Sequence, residues 1–217
     1  MFPIGDDNSA NHVTPIVTYV LIAINVLVFL FEASLGAGVQ EFINTWGTVP
    51  ADILSGEGYI TLLTSMFLHG GWAHLIGNML FLWVFGDNIE NRMGHFWYLA
   101  FYLVSGLAAS AAHILLNPES IIPSVGASGA ISGVLGAYIL LFHSNRVRVL
   151  MFRAIVVVPA WMMIGLWAVQ QFIATFAVIG QTEQTGGVAY AAHAGGFLAG
   201  VVLALVLNMI IPRRSVY

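Results

Sequence analysis

Six apolar runs constrain this chain more than any other feature. They cover about 15–34, 69–87, 95–116, 128–143, 150–179 and 188–211 of its 217 residues. A helix of roughly 20 apolar residues spans the hydrocarbon core of a bilayer. Charged residues make up only 7% of the chain, against about 25% in a soluble domain. The expected class is an all-α polytopic membrane protein, a bundle of six transmembrane helices. Residues 1–14 form a short N-terminus, 15–211 the membrane domain and 212–217 a tail, with Pro212 ending the last run.

The basic residues give the orientation. There is no lysine, and the six basic residues are Arg92, Arg146, Arg148, Arg153, Arg213 and Arg214. They fall after the second, fourth and sixth runs, on one side of the membrane. The positive-inside rule makes that side cytoplasmic. Both termini are then cytoplasmic, as an even number of spans requires. Met1–Thr14 carries Asp6 and Asp7 and no arginine, so it lacks the basic start of a cleaved signal peptide and the first run is expected to be retained. The compact chain suits a prokaryotic plasma membrane, with an organelle membrane as the alternative.

Other classes fall away. A net charge of −4 disfavours nucleic acid as a partner. The absence of cysteine removes disulfides, metal–thiolate sites and a thiol nucleophile. No Asp or Glu sits in the middle of a run, which weakens a proton or cation transporter. The stretch from Leu35 to Gly58 mixes turn residues with Phe42, Trp46 and Ile53, the composition of a loop lying in the membrane interface.

Chemistry concentrates in the polar residues inside the runs. Gly126-Ala127-Ser128-Gly129-Ala130-Ile131-Ser132-Gly133 opens the fourth run. Small neighbours leave the Ser128 hydroxyl open, and the position is the N-terminus of a helix, where backbone N–H groups are unpaired. A hydroxyl beside free N–H donors is the start of a nucleophile with an oxyanion hole. The alternative is packing alone, since Gly129 and Gly133 have small-xxx-small spacing. His193 lies near the outer end of the sixth run, at a depth similar to Ser128. Gly196 and Gly200 on that run allow close approach to Gly129 and Gly133. In the second run His74 and Asn78 are four apart and share a helix face, where both can donate into a cavity. His69 reads as a loop contact, His113 as structural, and Gln170 and Gln171 as packing or cavity-lining residues. Without an acid to orient His193, a hydrolase here is a Ser–His dyad.

These residues resemble the rhomboid family of intramembrane serine proteases. The match runs through His74-x-x-x-Asn78, Glu90-Asn91-Arg92-Met93-Gly94, Gly126-Ala127-Ser128-Gly129 and Ala192-His193-x-x-Gly196-x-x-x-Gly200, in the family's order and over about Ile60 to Val206. Many members have Trp-Arg on the approach to the second span, where this chain has Ile60-Thr61. Some carry a tyrosine one turn after the nucleophile, where this chain has Ser132. The resemblance implies a six-span rhomboid-like bundle. It implies Ser128 as nucleophile and His193 as base, with the oxyanion held by the Ser128 N–H, Asn78 and His74. The implied substrates are single-span membrane proteins, cut near the outer end of the span, with no metal or cofactor. Separately, their place between the fifth and sixth runs makes Gly186 and Gly187 candidate hinges for an outer loop acting as a cap. Two rivals are a non-catalytic scaffold of the same fold that binds membrane proteins and a small-molecule or haem-type transporter using His69, His74, His113 and His193 as ligands.

Overall fold

A computed structural model describes residues 2–9, 11–178 and 189–211. In chain order, strand β1 (Phe2–Gly5) precedes helix α1 (Ile16–Ser34). Three short helices follow, α2 (Val39–Trp46), α3 (Pro50–Ser55) and α4 (Thr61–Thr64). Then come α5 (Trp72–Met93), α6 (His95–Leu116) and α7 (Ser128–Leu141). A hairpin of β2 (Arg146–Met151) and β3 (Ala154–Pro159) leads into α8 (Ala160–Val178) and α9 (Tyr190–Ile210). Gly186, Gly187 and residues 212–217, which include Arg213 and Arg214, lie outside the described residues.

Among the described residues, four helices are long and apolar enough to cross a membrane: α1, α6, α8 and α9. Their outward faces carry Leu27, Phe31, Phe96, Val169 and Phe176, all exposed. An apolar surface this large is one that lipid covers. The chain is an integral membrane protein by this measure. The other two expected spans differ in kind. Helix α5 is 22 residues long but ends in Asp87, Asn88, Glu90, Asn91 and Arg92. Helix α7 has only 14 residues, about 21 Å at 1.5 Å per residue.

Two expectations need correction. The run 150–179 is not one helix: its first third belongs to an antiparallel hairpin pairing Arg146 with Pro159 and Met151 with Ala154. Strand β1 adds to β2, giving the order β1-β2-β3, so the fold is not wholly helical. Arg146-Val147-Arg148-Val149 alternates with period two, and Val147 and Val149 are fully buried. Alternation of that kind turns one strand face to the core. The stretch 35–58 is also not a plain loop but holds α2 and α3. It is anchored without a Trp-Arg pair. The Thr48 hydroxyl donates to the Thr61 carbonyl at 2.8 Å and lies 2.8 Å from the Ser65 hydroxyl. The Thr64 hydroxyl donates to the Trp46 carbonyl at 2.8 Å.

The segment Glu90–Gly94 clasps one end of the bundle. Glu90 is fully buried and accepts the N–H groups of Val17 and Thr18 at 2.8 Å each, and the Thr18 hydroxyl at 2.7 Å. Those N–H groups belong to the first turn of α1 and have no partner inside the helix, and a carboxylate there also meets the positive end of the helix dipole. Asn91 accepts the His12 and Val13 N–H groups. Arg92 donates to Asn208 at 2.5 Å and to the Ile211 carbonyl at 3.4 Å, tying the end of α9. One short segment thus fixes α1, α5 and α9 against each other.

At the centre α6, α7 and α9 meet through small residues. A Cβ on Gly196 would stand 2.1 Å from the Gly129 carbonyl oxygen, and one on Gly200 2.1 Å from that of Gly133. Backbone touches backbone there, as small-residue spacing permits. This contact sets the depth of Ser128 and His193.

Candidate active site

Ser128 is the first residue of α7, and no side chain caps that helix. Its opening N–H groups therefore lack intrahelical partners. The chain reaches Ser128 through Gly126, whose φ of +126° suits glycine. A Cβ on Gly126 would lie 2.7 Å from the His74 ring, so glycine is required twice, for its backbone and for room. The Gly126 N–H donates to the Ser65 carbonyl at 2.8 Å, and Ser124 and Thr48 pair through their backbones at 2.8 and 3.0 Å. The approach to the serine is thereby stitched to the first loop.

Ser128, His193, His74 and Asn78 all line one cavity of about 720 Å³. It is a large concave site whose lining mixes apolar walls with polar side chains, these four among them. His113, expected to be structural, also lines it and is buried, with Nδ1 3.3 Å from the Asn117 amide.

Two partners on the site were not legible as such in the sequence. His193 Nδ1 lies 2.8 Å from Gln171 Oε1. An amide oxygen only accepts, so Nδ1 carries the proton and Nε2 keeps its lone pair. The Trp167 ring sits beside that of His193, centroids 6.1 Å apart at 37°. Helix α8 thus supplies both a hydrogen bond and a packing surface, and Ser132 instead donates to the Ser128 carbonyl at 2.6 Å. Trp167 and Gln171 are four apart, one face of a helix, and that spacing was the only signal available beforehand.

His69, read as a loop contact, does more. It is buried, and its Nε2 lies 3.0 Å from Asn78 Nδ2. The amide donates, so Nε2 accepts and the side chain of Asn78 is fixed. The His69 N–H in turn donates to the Glu32 carboxylate at 3.2 and 3.3 Å. Glu32, at the end of α1, therefore reaches the site through two hydrogen bonds. His69 and His74 stand edge to face with centroids 5.1 Å apart. Among the described residues, no three metal-ligating side chains gather in one place.

Comparison with known proteins gives the family. The family model described as the rhomboid domain matches residues 56–210. Rhomboid protease GluP of Bacillus subtilis is 38% identical over 133 residues, 61% of this chain and 26% of that protein. Rhomboid protein 1, mitochondrial, of Saccharomyces cerevisiae is 30% identical over 206 residues, 90% of this chain and 54% of that one. Rhomboid-like protein 11, chloroplastic, of Arabidopsis thaliana is 31% identical over 149 residues, 67% of this chain and 51% of that one. The chain spans between about a quarter and about half the length of these three relatives. With most of its length inside the matched domain, this chain belongs to the rhomboid family.

Proposed function

We propose that the chain is an intramembrane serine endopeptidase that cuts single-span membrane proteins near the outer end of the span. The observation that carries this is one cavity lined by a serine at an uncapped helix N-terminus and by a histidine whose Nδ1 proton is engaged elsewhere. In this reading α5 and α7 complete a six-span bundle with both termini in the cytoplasm of a prokaryotic cell.

The Ser128 Oγ attacks the substrate carbonyl carbon, and His193 Nε2 takes the hydroxyl proton. The new oxyanion accepts from the Ser128 N–H, Asn78 and His74. The tetrahedral adduct then collapses. The peptide C–N bond breaks, and His193 gives its proton to the departing amine. Water attacks the acyl-serine, His193 takes a proton from it, and the Ser128 hydroxyl is restored as the acid leaves. Gln171 and Trp167 hold the imidazole through this cycle. A substrate helix must unwind locally, because its carbonyls are otherwise bonded within the helix.

The test uses purified protein, a panel of single-span reporter substrates and a fluorophosphonate probe. Cleavage lost in Ser128→Ala and His193→Ala, with labelling lost in Ser128→Ala, is the expected result. Cleavage surviving in Ser128→Ala overturns the mechanism. A wild type that neither cleaves nor labels, in lipid as in detergent, turns the reading to a scaffold that binds membrane proteins.

A further inference from the structure

The small sheet has two apolar faces, and the bundle uses only one of them. Val147 and Val149 point inward and are fully buried. The opposite face carries Leu150 and, through the register, its neighbours Phe2 and Ile155, then Val157 beside Arg148. Phe2, Ile155 and Val157 are all more than half exposed. Arg146 and Arg148 stand on this same face by strand alternation and are exposed. Among the described residues, none of Arg146, Arg148 and Arg153 joins a salt bridge.

The hairpin tip is the second observation. Met151 pairs with Ala154, so Phe152 and Arg153 form a two-residue turn. Phe152 has φ +54°, a conformation that turns of this length normally give to glycine or asparagine. The residue is 99% exposed. The chain thus accepts backbone strain to hold an aromatic ring where nothing in the protein touches it, and such strain points to function. The third observation is continuity. Strand β3 ends at Pro159 and the spanning helix α8 begins at Ala160, with Trp161 exposed at its start. The apolar sheet face is joined without a linker to the lipid-facing surface.

We propose that this sheet face and its tip dock onto the anionic phospholipid surface of the leaflet where α8 begins. Phe152, Ile155 and Val157 enter the boundary between headgroups and acyl chains, where aromatic side chains are favoured. Arg146, Arg148 and Arg153 take the lipid phosphates, because basic residues beside an anionic leaflet are drawn to it. The docking rests on the membrane placement of α8 and not on the peptidase reading.

The native chain has no cysteine, so single labels can be placed in the full-length protein. An environment-sensitive fluorophore goes on Phe152→Cys, with Phe176→Cys on α8 as the lipid reference and Ser144→Cys as the aqueous reference. Each protein is reconstituted in nanodiscs of phosphatidylcholine alone or with phosphatidylglycerol. Quenching by lipids brominated near the headgroup is compared with quenching by aqueous iodide. The expected label at 152 is quenched by brominated lipid in the phosphatidylglycerol discs and shielded from iodide. Combining it with Arg146→Gln, Arg148→Gln and Arg153→Gln moves it to the aqueous pattern. A label at 152 that behaves like Ser144→Cys in both lipids overturns the docking. Lipid quenching that ignores both phosphatidylglycerol and the arginines overturns the anionic specificity. Shielding that appears only as protein concentration rises assigns the face to a second copy of the chain. Failure of the Phe176→Cys reference would instead strike the membrane placement itself.

Discussion

Gln171 on α8 and His193 on α9 are joined by a hydrogen bond of 2.8 Å between the amide oxygen and Nδ1. Under the proposed mechanism the bond fills the place an acid takes in a triad, without adding a charge beside His193. It fixes which imidazole nitrogen is free to act as base. Gln171→Leu should lower kcat/KM by roughly tenfold, the scale of one lost hydrogen bond at a buried imidazole. Gln171→Glu keeps an acceptor at the same place and should recover much of the loss. Equal damage in both variants, measured with reporter substrate, would mean that the residue only packs.

Asn78 and His69 should separate in the size of their effects. Asn78→Ala removes a donor to the oxyanion, worth about 2.7–4 kcal/mol of barrier, and should be damaged rather than dead. His69→Ala leaves Asn78 in place but frees its side chain, so the loss should be smaller and fall on kcat. A double variant no worse than Asn78→Ala alone would confirm that His69 acts through Asn78.

Gly126→Ala meets two obstacles, a left-handed backbone and the His74 ring 2.7 Å from the new Cβ. The predicted cost is about 1–3 kcal/mol of strain, with activity falling further than stability because His74 is what moves. Gly200→Ala is the contrasting case. Its Cβ would strike the Gly133 backbone at 2.1 Å, and backbone cannot swing aside as a ring can. Thermal unfolding in detergent should show the larger drop for Gly200→Ala.

Asp6 makes the docking of the N-terminal segment depend on pH. Its carboxylate accepts from Asn88 at 2.6 Å and from the Tyr138 hydroxyl at 2.5 Å. Burial pushes its pKa from 3.8 up to about 7, with nearby Asp87 adding to the rise and the Tyr138 hydrogen bond opposing it. A value raised on folding means that the folded state prefers the neutral acid. That contribution is complete below about pH 4 and is lost as pH climbs toward 7. Wild-type stability should therefore fall over that window, by a few kcal/mol at most on the order of magnitude of such shifts. Asp6→Asn should flatten this part of the profile and be the more stable protein at pH 8. An unchanged profile in Asp6→Asn, followed by thermal unfolding, would remove Asp6 as its source.

The apolar runs alone pointed to a membrane, because a chain of 217 residues with 7% charged residues cannot bury six such runs in a core of its own. They also located Ser128 at the head of a helix, since small residues followed by an unbroken apolar stretch leave few alternatives. The hairpin was hidden by the same signal. Residues 150–159 are as apolar as a span, and apolarity does not tell a buried strand from a helix. The alternation from Arg146 and the β-branched run Ile155-Val156-Val157-Val158 were the cues to it. The partners of the site were a different matter. Gln171 and His193 lie 22 residues apart on separate helices, and Glu32 reaches His69 across 37 residues. A hydrogen bond between elements depends on how their helices rotate and slide against each other, which the packing of the whole bundle sets. Only the tertiary structure decides which of several buried polar side chains come face to face.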